Sequence, residues 1–218
     1  MAITHNGTNI SNINYNSTVI NTVTYNGATV FSRMVEYTFP NSNAKMTSET
    51  SFGMKVYYDS RNGYAGQSGY CAFDNDLATA FVGNYYDGGE QLGITFPFPI
   101  YIQSIIIKNV SSNPASSKAD IGGLKTGTIY ISSTEKTKPF TGTVYSTLSR
   151  ANASTASYAT THTNSSYNST SVRSICIIGD SWGSSGTQPW HVIGEVIFNF
   201  KVSAADLISW KSTYGISS

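Results

Sequence analysis

Charge is what this chain has least of. Only 11% of its 218 residues are Asp, Glu, Lys or Arg, 13 cations against 12 anions for a net charge of +1. An average domain carries about a quarter. No block of one sign occurs, so the clustered cations that displace counterions from nucleic-acid phosphates are missing and no nucleic acid is expected as partner. His5, His162 and His191 are scattered, which argues against a zinc centre. The two cysteines, Cys71 and Cys176, stand far apart in no metal-ligand spacing. Two buried, small apolar thiols is the simpler reading of them, a disulfide the other. The longest apolar stretch, Ile100 to Ile107, is interrupted by Gln103 and Ser104 and is too short to cross a bilayer, so no membrane insertion is expected. Met1 to Asn6 shows no basic region leading into an apolar run, so no signal peptide is expected. No pair of carboxylates stands out as a glycosidase acid and base.

What the chain has instead is 13% aromatic residues, 15 of its side chains being Tyr, set among Asn, Ser, Thr and Gly. That mixture suits short strands and tight turns and makes poor helix, so the fold class is all-β. The opening segment is written in tens. Asn6-Gly7-Thr8-Asn9-Ile10-Ser11-Asn12-Ile13-Asn14-Tyr15 is followed by Asn16-Ser17-Thr18-Val19-Ile20-Asn21-Thr22-Val23-Thr24-Tyr25, then by the partial copy Asn26-Gly27-Ala28-Thr29-Val30-Phe31. Each copy opens on a turn dipeptide and runs through β-branched residues toward an aromatic. A ribbon this thin has too little core to stand alone. It anchors or oligomerises the chain, or it is an ordinary meander on the edge of the main domain.

Residues 33–202 read as one jelly-roll or sandwich domain. Leu92, Ile94 and Phe96 alternate along one face before Pro97 and Pro99 break the pattern, and Tyr101 to Val110 is apolar enough for a central strand. Thr126–Ser132 turns Ile129 and Ile131 inward, Val172–Ile178 is another strand, and Val192, Gly194, Val196, Phe198, Phe200 and Val202 share a face. Ser149–Thr170 is long and polar and reads as a loop. In residues 203–218, Ser203 and Asp206 fit a capping box for a helix of about ten residues that ends before Gly215.

The string Ala72-Phe73-Asp74-Asn75-Asp76-Leu77-Ala78-Thr79-Ala80-Phe81 resembles the aromatic–Asp–Asp signature of discoidin-like (coagulation factor type C, galactose-binding-like) jelly rolls. Downstream, Gln91–Phe96, Tyr101–Lys108, Gly127–Ser133 and Gly194–Phe198 resemble that family's later strands in the same order. The chain departs from the pattern at Phe81, where Trp is usual, and lacks the bracketing Cys pair. The resemblance implies a structural Ca²⁺ held by Asp74, Asp76, Thr79 and Glu195, hard oxygen ligands suited to that ion. The other reading is that Asp74 and Asp76 only cap a turn. The resemblance also implies sugar binding by loop-borne aromatics. Candidates are Tyr64, Tyr85, Tyr86, Trp182, Trp190 and His191, which would equally suit a core or a subunit contact.

Ile177-Ile178-Gly179-Asp180-Ser181 looks like the nucleophile block of Gly-Asp-Ser esterases, but it comes late in a β-rich chain. The residue three before His191 is Gln188, so the orienting carboxylate is missing and no enzyme is expected. In its repeat and its Asn/Ser/Thr/Tyr bias the whole chain resembles bacteriophage head-fibre and tail-fibre proteins. That resemblance implies a virion-surface homo-oligomer, most simply a trimer, attached to other virion proteins by residues 1–32 and facing host surface glycans. The alternative is a carbohydrate-binding module of a bacterial cell-surface protein.

Overall fold

The computed structural model describes residues 4–5, 8–9, 13–15, 18–26, 28–59, 68–82, 90–108, 121–137, 140–149, 159–184 and 192–217. The strands are β1 (Thr4–His5), β2 (Thr8–Asn9), β3 (Ile13–Tyr15), β4 (Thr18–Ile20), β5 (Thr22–Tyr25), β6 (Ala28–Ser32), β7 (Met34–Phe39), β8 (Thr50–Ser51) and β9 (Met54–Tyr58). They continue with β10 (Phe81–Val82), β11 (Glu90–Lys108), β12 (Ile121–Ser132), β13 (Thr143–Ser149), β14 (Ala159–His162), β15 (Val172–Ser184), β16 (Val192–Ile193) and β17 (Glu195–Ser203). Helix α1 (Ala204–Tyr214) follows. No described helix is long and apolar enough to cross a membrane. The chain divides into two compact units, one of Thr38–Phe200 and one of Met1–Tyr37 with Lys201–Ser218. The boundaries read from the sequence fell at 32/33 and 202/203.

Thr38–Phe200 is an antiparallel jelly-roll sandwich. One layer runs β13–β12–β15–β11–β9–β8 and the other is built on the second half of β11, flanked by β14 and β17. Strand β11 serves both layers. Its first half pairs with β15 and β9, its last residues pair with β14, and the register shifts between Thr95 and Ile100. Pro97 and Pro99 lie in that interval, so they bend the strand at a bulge, where no ladder bond is lost, instead of ending it.

Phe96 sits at the bend, 1% exposed, with its ring centroid 5.6 Å from Phe198, 5.6 Å from Phe200 and 6.2 Å from Phe39. Phe73 stacks on Phe198 at 5.9 Å. These edge-to-face and stacked contacts add to burial worth about 1.5–3 kcal/mol per ring. Leu92, Ile94, Ile129 and Ile131 point inward as their alternation predicts, and so do Val196, Phe198, Phe200 and Val202.

The outer face of the first layer is covered as well, which alternation did not announce. Thr95 and Ser174 are buried there, and their hydroxyls lie 3.2 Å apart. Ser174 Oγ accepts from Lys136 N (2.9 Å) and donates to Thr134 O (3.0 Å), and Phe140 N donates to Gln91 Oε1 (2.9 Å). Described residues in 134–140 are thereby tied across the sheet, and Phe140 stacks on Tyr57 at 6.2 Å. The Tyr57 ring in turn lies against Gly93, where a Cβ would collide with it. Its buried hydroxyl finds no oxygen or nitrogen partner and lies against the Cys176 thiol, and burial together with Cys176 pushes its pKa far above the ordinary tyrosine value.

The polar stretch read as a loop contains β14, paired with β11 from Ile105↔His162 to Lys108↔Ala159. Its Ala-Thr-Thr-His sequence has no apolar alternation because it is an edge strand with its outer residues exposed. Both cysteines are free and buried. Burial pushes the Cys71 thiol up to about 11 and the Cys176 thiol up to about 12, so neither is an activated thiolate. The two ends of this unit lie side by side, its first residue, Thr38, donating through Oγ1 to Oδ1 of the penultimate Asn199 at 2.7 Å.

In the other unit the repeat forms three hairpins, β1–β2, β3–β4 and β5–β6, each a separate two-stranded sheet. The closing pairs are His5↔Thr8, Tyr15↔Thr18 and Tyr25↔Ala28, so the two-residue connections fall on Asn6-Gly7, Asn16-Ser17 and Asn26-Gly27. Asn26 takes a left-handed φ of 49°, the conformation that favours Asn and Gly at such turns. Helix α1 is capped as read: Ser203 Oγ accepts from Asp206 N (3.0 Å), and Gly215 closes the end at φ 65°. Trp210 meets the Tyr37 ring edge-on at 5.8 Å, and Lys211 Nζ lies 5.4 Å over the same ring.

Candidate functional site

Two features of the jelly roll carry candidate chemistry. The first is the turn between the 3₁₀ segment Gly69–Phe73 and β10. Asp74 Oδ1 accepts from Asp76 N (3.0 Å), and Asp76 Oδ1 accepts from Ala78 N (2.8 Å). Thr79 Oγ1 donates to Asp74 Oδ2 at 2.6 Å and lies 3.0 Å from Asp76 O. These are Asx-type bonds that fold the turn. Between the two acids, Asn75 adopts φ 57°, and the backbone N–H groups of Asn75 and Asp76 face the Glu195 carboxylate.

Glu195 is 2% exposed, and its Oε1 has no partner. Burial foremost, then the charge of Asp74, pushes its pKa up to about 8. Burial likewise raises Asp74. Turn capping accounts for Asp74 and Asp76 but leaves a buried acid with an orphaned oxygen beside a second acid.

That arrangement fits a hard cation. Of the four residues named from the sequence, Asp74, Thr79 and Glu195 come together, while the exposed Asp76 side chain is turned to Ala78 N and offers its backbone carbonyl instead. Among the described residues no three His, Cys, Asp or Glu side chains form a metal cluster. A bound ion would therefore rest on the carboxylates of Asp74 and Glu195, the Thr79 hydroxyl and the Asp76 backbone carbonyl, hard oxygen donors that Ca²⁺ accepts.

The second feature is one end of the sandwich. Strand β9 ends at Tyr58 opposite Leu92, β11 begins at Glu90 opposite Gly179, and β15 ends at Ser184 opposite Ile121, the start of β12. Val192 pairs with both Val82 and Gly123. The antiparallel ladder thus gathers the strand ends that flank residues 60–67, 83–89 and 185–191. Tyr64, Tyr85, Tyr86, Trp190 and His191 stand in those three segments, outside the described residues. Trp182 is borne on β15 itself, opposite Leu124. No local signal in the sequence could have brought these segments together, because Glu90↔Gly179 and Ile121↔Ser184 are long-range pairings.

The esterase-like block does not form a nucleophile elbow. Ile177 to Ser181 runs inside β15, with Ser181 opposite Thr126, and no strand-to-helix turn exposes the serine.

The sequence matches no protein-family model and no curated protein. Solved structures show the fold. The family 32 CBM of C. perfringens NanJ, solved in complex with galactose, gives a TM-score of 0.50 at 15% identity, over 76% of this chain and 99% of that one. Chitosan-binding module 1 of a chitosanase/glucanase from Paenibacillus sp. gives 0.49 at 14% identity, over 66% and 92%. An F5/8 type C domain from Bacteroides fragilis gives 0.45 at 10% identity, over 75% and 99%. The chain shares the jelly-roll fold of the NanJ module.

Proposed function

We propose that this chain is a non-catalytic carbohydrate-binding protein whose jelly roll engages a glycan at the gathered strand ends. The observation that carries the reading is the convergence of the flanks of 60–67, 83–89 and 185–191, together with Trp182, at one end of a rigid sandwich. Rings held on a rigid scaffold offer apolar faces to a pyranose, while the Asn, Ser and backbone groups of such segments satisfy its hydroxyls. The fold shared with a galactose-bound module supports the class of ligand. Ca²⁺ at Asp74, Thr79 and Glu195 would serve as a structural ion that fixes the turn before β10.

The reading follows the alternative drawn from the sequence, a sugar-binding module of a bacterial cell surface. Neither the fold nor the solved structures support the phage-fibre expectation, with its virion partners and virion-surface location. A glycan array followed by calorimetric titration with galactose and with chitotriose tests the proposal. Saturable binding that the Trp182→Ala variant loses is the expected result. A blank array with flat titrations at hundreds of micromolar protein overturns it.

A further inference from the structure

We propose that the hairpin strands within residues 4–32 are a pairing interface between copies of this chain, closing it into a ring of three or more. The three hairpins repeat every ten residues, and among the described residues each is a separate two-stranded sheet. Each therefore has two edge strands whose outward N–H and C=O groups take part in no ladder among the described residues. A lone two-stranded sheet of two to five residues per strand is marginal in water. Soluble proteins that leave edges open blunt them with lysine, proline or inward-pointing charge. This segment does the opposite: from Met1 to Ser32 there is no Asp, Glu, Lys, Arg or Pro, and every charged side chain of the protein lies at or beyond Arg33.

The occupant these edges fit is a second copy. An identical chain brings strands of the same ten-residue spacing, so one matched pairing aligns all three hairpins at once. Uncharged edges meet without like-charge repulsion. Val19, 43% exposed, and Tyr25, 69% exposed, would gain cover in the process. Two-fold pairing of like edges leaves the other edge of every hairpin bare. Head-to-tail pairing uses both and closes a ring of three or more copies, since two copies give each tier too few strands to curve into a closed barrel.

Light scattering on the full-length chain, beside the Val19→Lys/Thr24→Lys variant, tests this. The expected mass is a whole multiple of 23.5 kDa, at least threefold, for the native chain and a single 23.5 kDa chain for the variant, with the near-ultraviolet dichroism of the jelly roll unchanged. If the double variant precipitates, Thr24→Lys alone is read by the same measurement and dissociates in part. Hydrogen exchange gives an independent readout: amides of residues 13–32 are protected in the native assembly and exchange freely in the variant. A native chain that stays monomeric at every concentration overturns the proposal. So does an assembly whose mass the lysines leave intact.

Discussion

The hairpin segment and the jelly roll are both built of antiparallel strands, yet they are held by different physics. In the hairpins, pairing joins close neighbours such as Tyr25 and Ala28, and turn chemistry sets the register. In the jelly roll, pairing joins Glu90 to Gly179, and a buried aromatic cluster around Phe96 sets the register. The hairpins are uncharged and carry exposed apolar side chains, whereas the jelly roll holds buried polar groups that are matched to partners, with Glu195 and Tyr57 as exceptions. Turns can specify a shape without stabilising it. A core does both.

The contrast can be broken hardest at Phe96. Truncation to Ala should cost the jelly roll about 3–5 kcal/mol, because three rings lose their common neighbour and the bend in β11 limits collapse. Denaturant unfolding followed at the buried aromatics measures the loss. Next comes the acid pair. Saturating Ca²⁺ should raise the melting temperature relative to EDTA, with a stabilisation of about 2.7 kcal/mol at a hundredfold excess over Kd. Glu195→Gln should retain the metal-free stability and lose the response, and an identical transition in Ca²⁺ and EDTA would count against the cation.

Gly93→Ala should cost about 1–3 kcal/mol, since its Cβ has no room beside Tyr57. Tyr57→Phe removes a buried hydroxyl that has only a weak thiol, Cys176, beside it and should leave stability unchanged or slightly higher, a reversal of sign that thermal melts of the pair would reveal. The smallest expected effect concerns His162. Burial depresses its pKa below the ordinary 6.5, while Ser146 and Thr160 hydroxyls flank its two ring nitrogens at 3.2 and 3.0 Å. Its neutral form is the folded one, so its contribution is fully present above about pH 6.5 and is lost as pH falls through the depressed value. His162→Asn should flatten that part of the acid-side decline in stability.

Much of the fold was legible in the sequence because its signals are local. The Asn-led turns, the alternation of Val196, Phe198 and Phe200, and the Ser203 cap each declare a conformation within a few residues. Three features stayed hidden. The prolines at 97 and 99 read as a strand break because proline removes a donor, and only the shift of partners shows that no donor was needed there. Strand β14 is polar because one side of it is exposed. The second covering of Gly93 and Thr95 depends on residues more than thirty positions away. For the candidate site, the residue types around Asp74 could be named in advance. The orphaned oxygen of Glu195, and the gathering of strand ends below the aromatic segments, required the long-range register.

Thr38, the first residue of the jelly roll, hydrogen-bonds to Asn199, the last but one, so the chain enters and leaves that unit through adjacent doors. A unit of this kind behaves as a cassette. It can be spliced into a surface loop of an unrelated host with two short joints and little stretching of either partner. In evolutionary terms it can be acquired, exchanged or lost in one genetic step. For engineering, Thr38–Phe200 are the natural bounds for transplanting the jelly roll onto another scaffold.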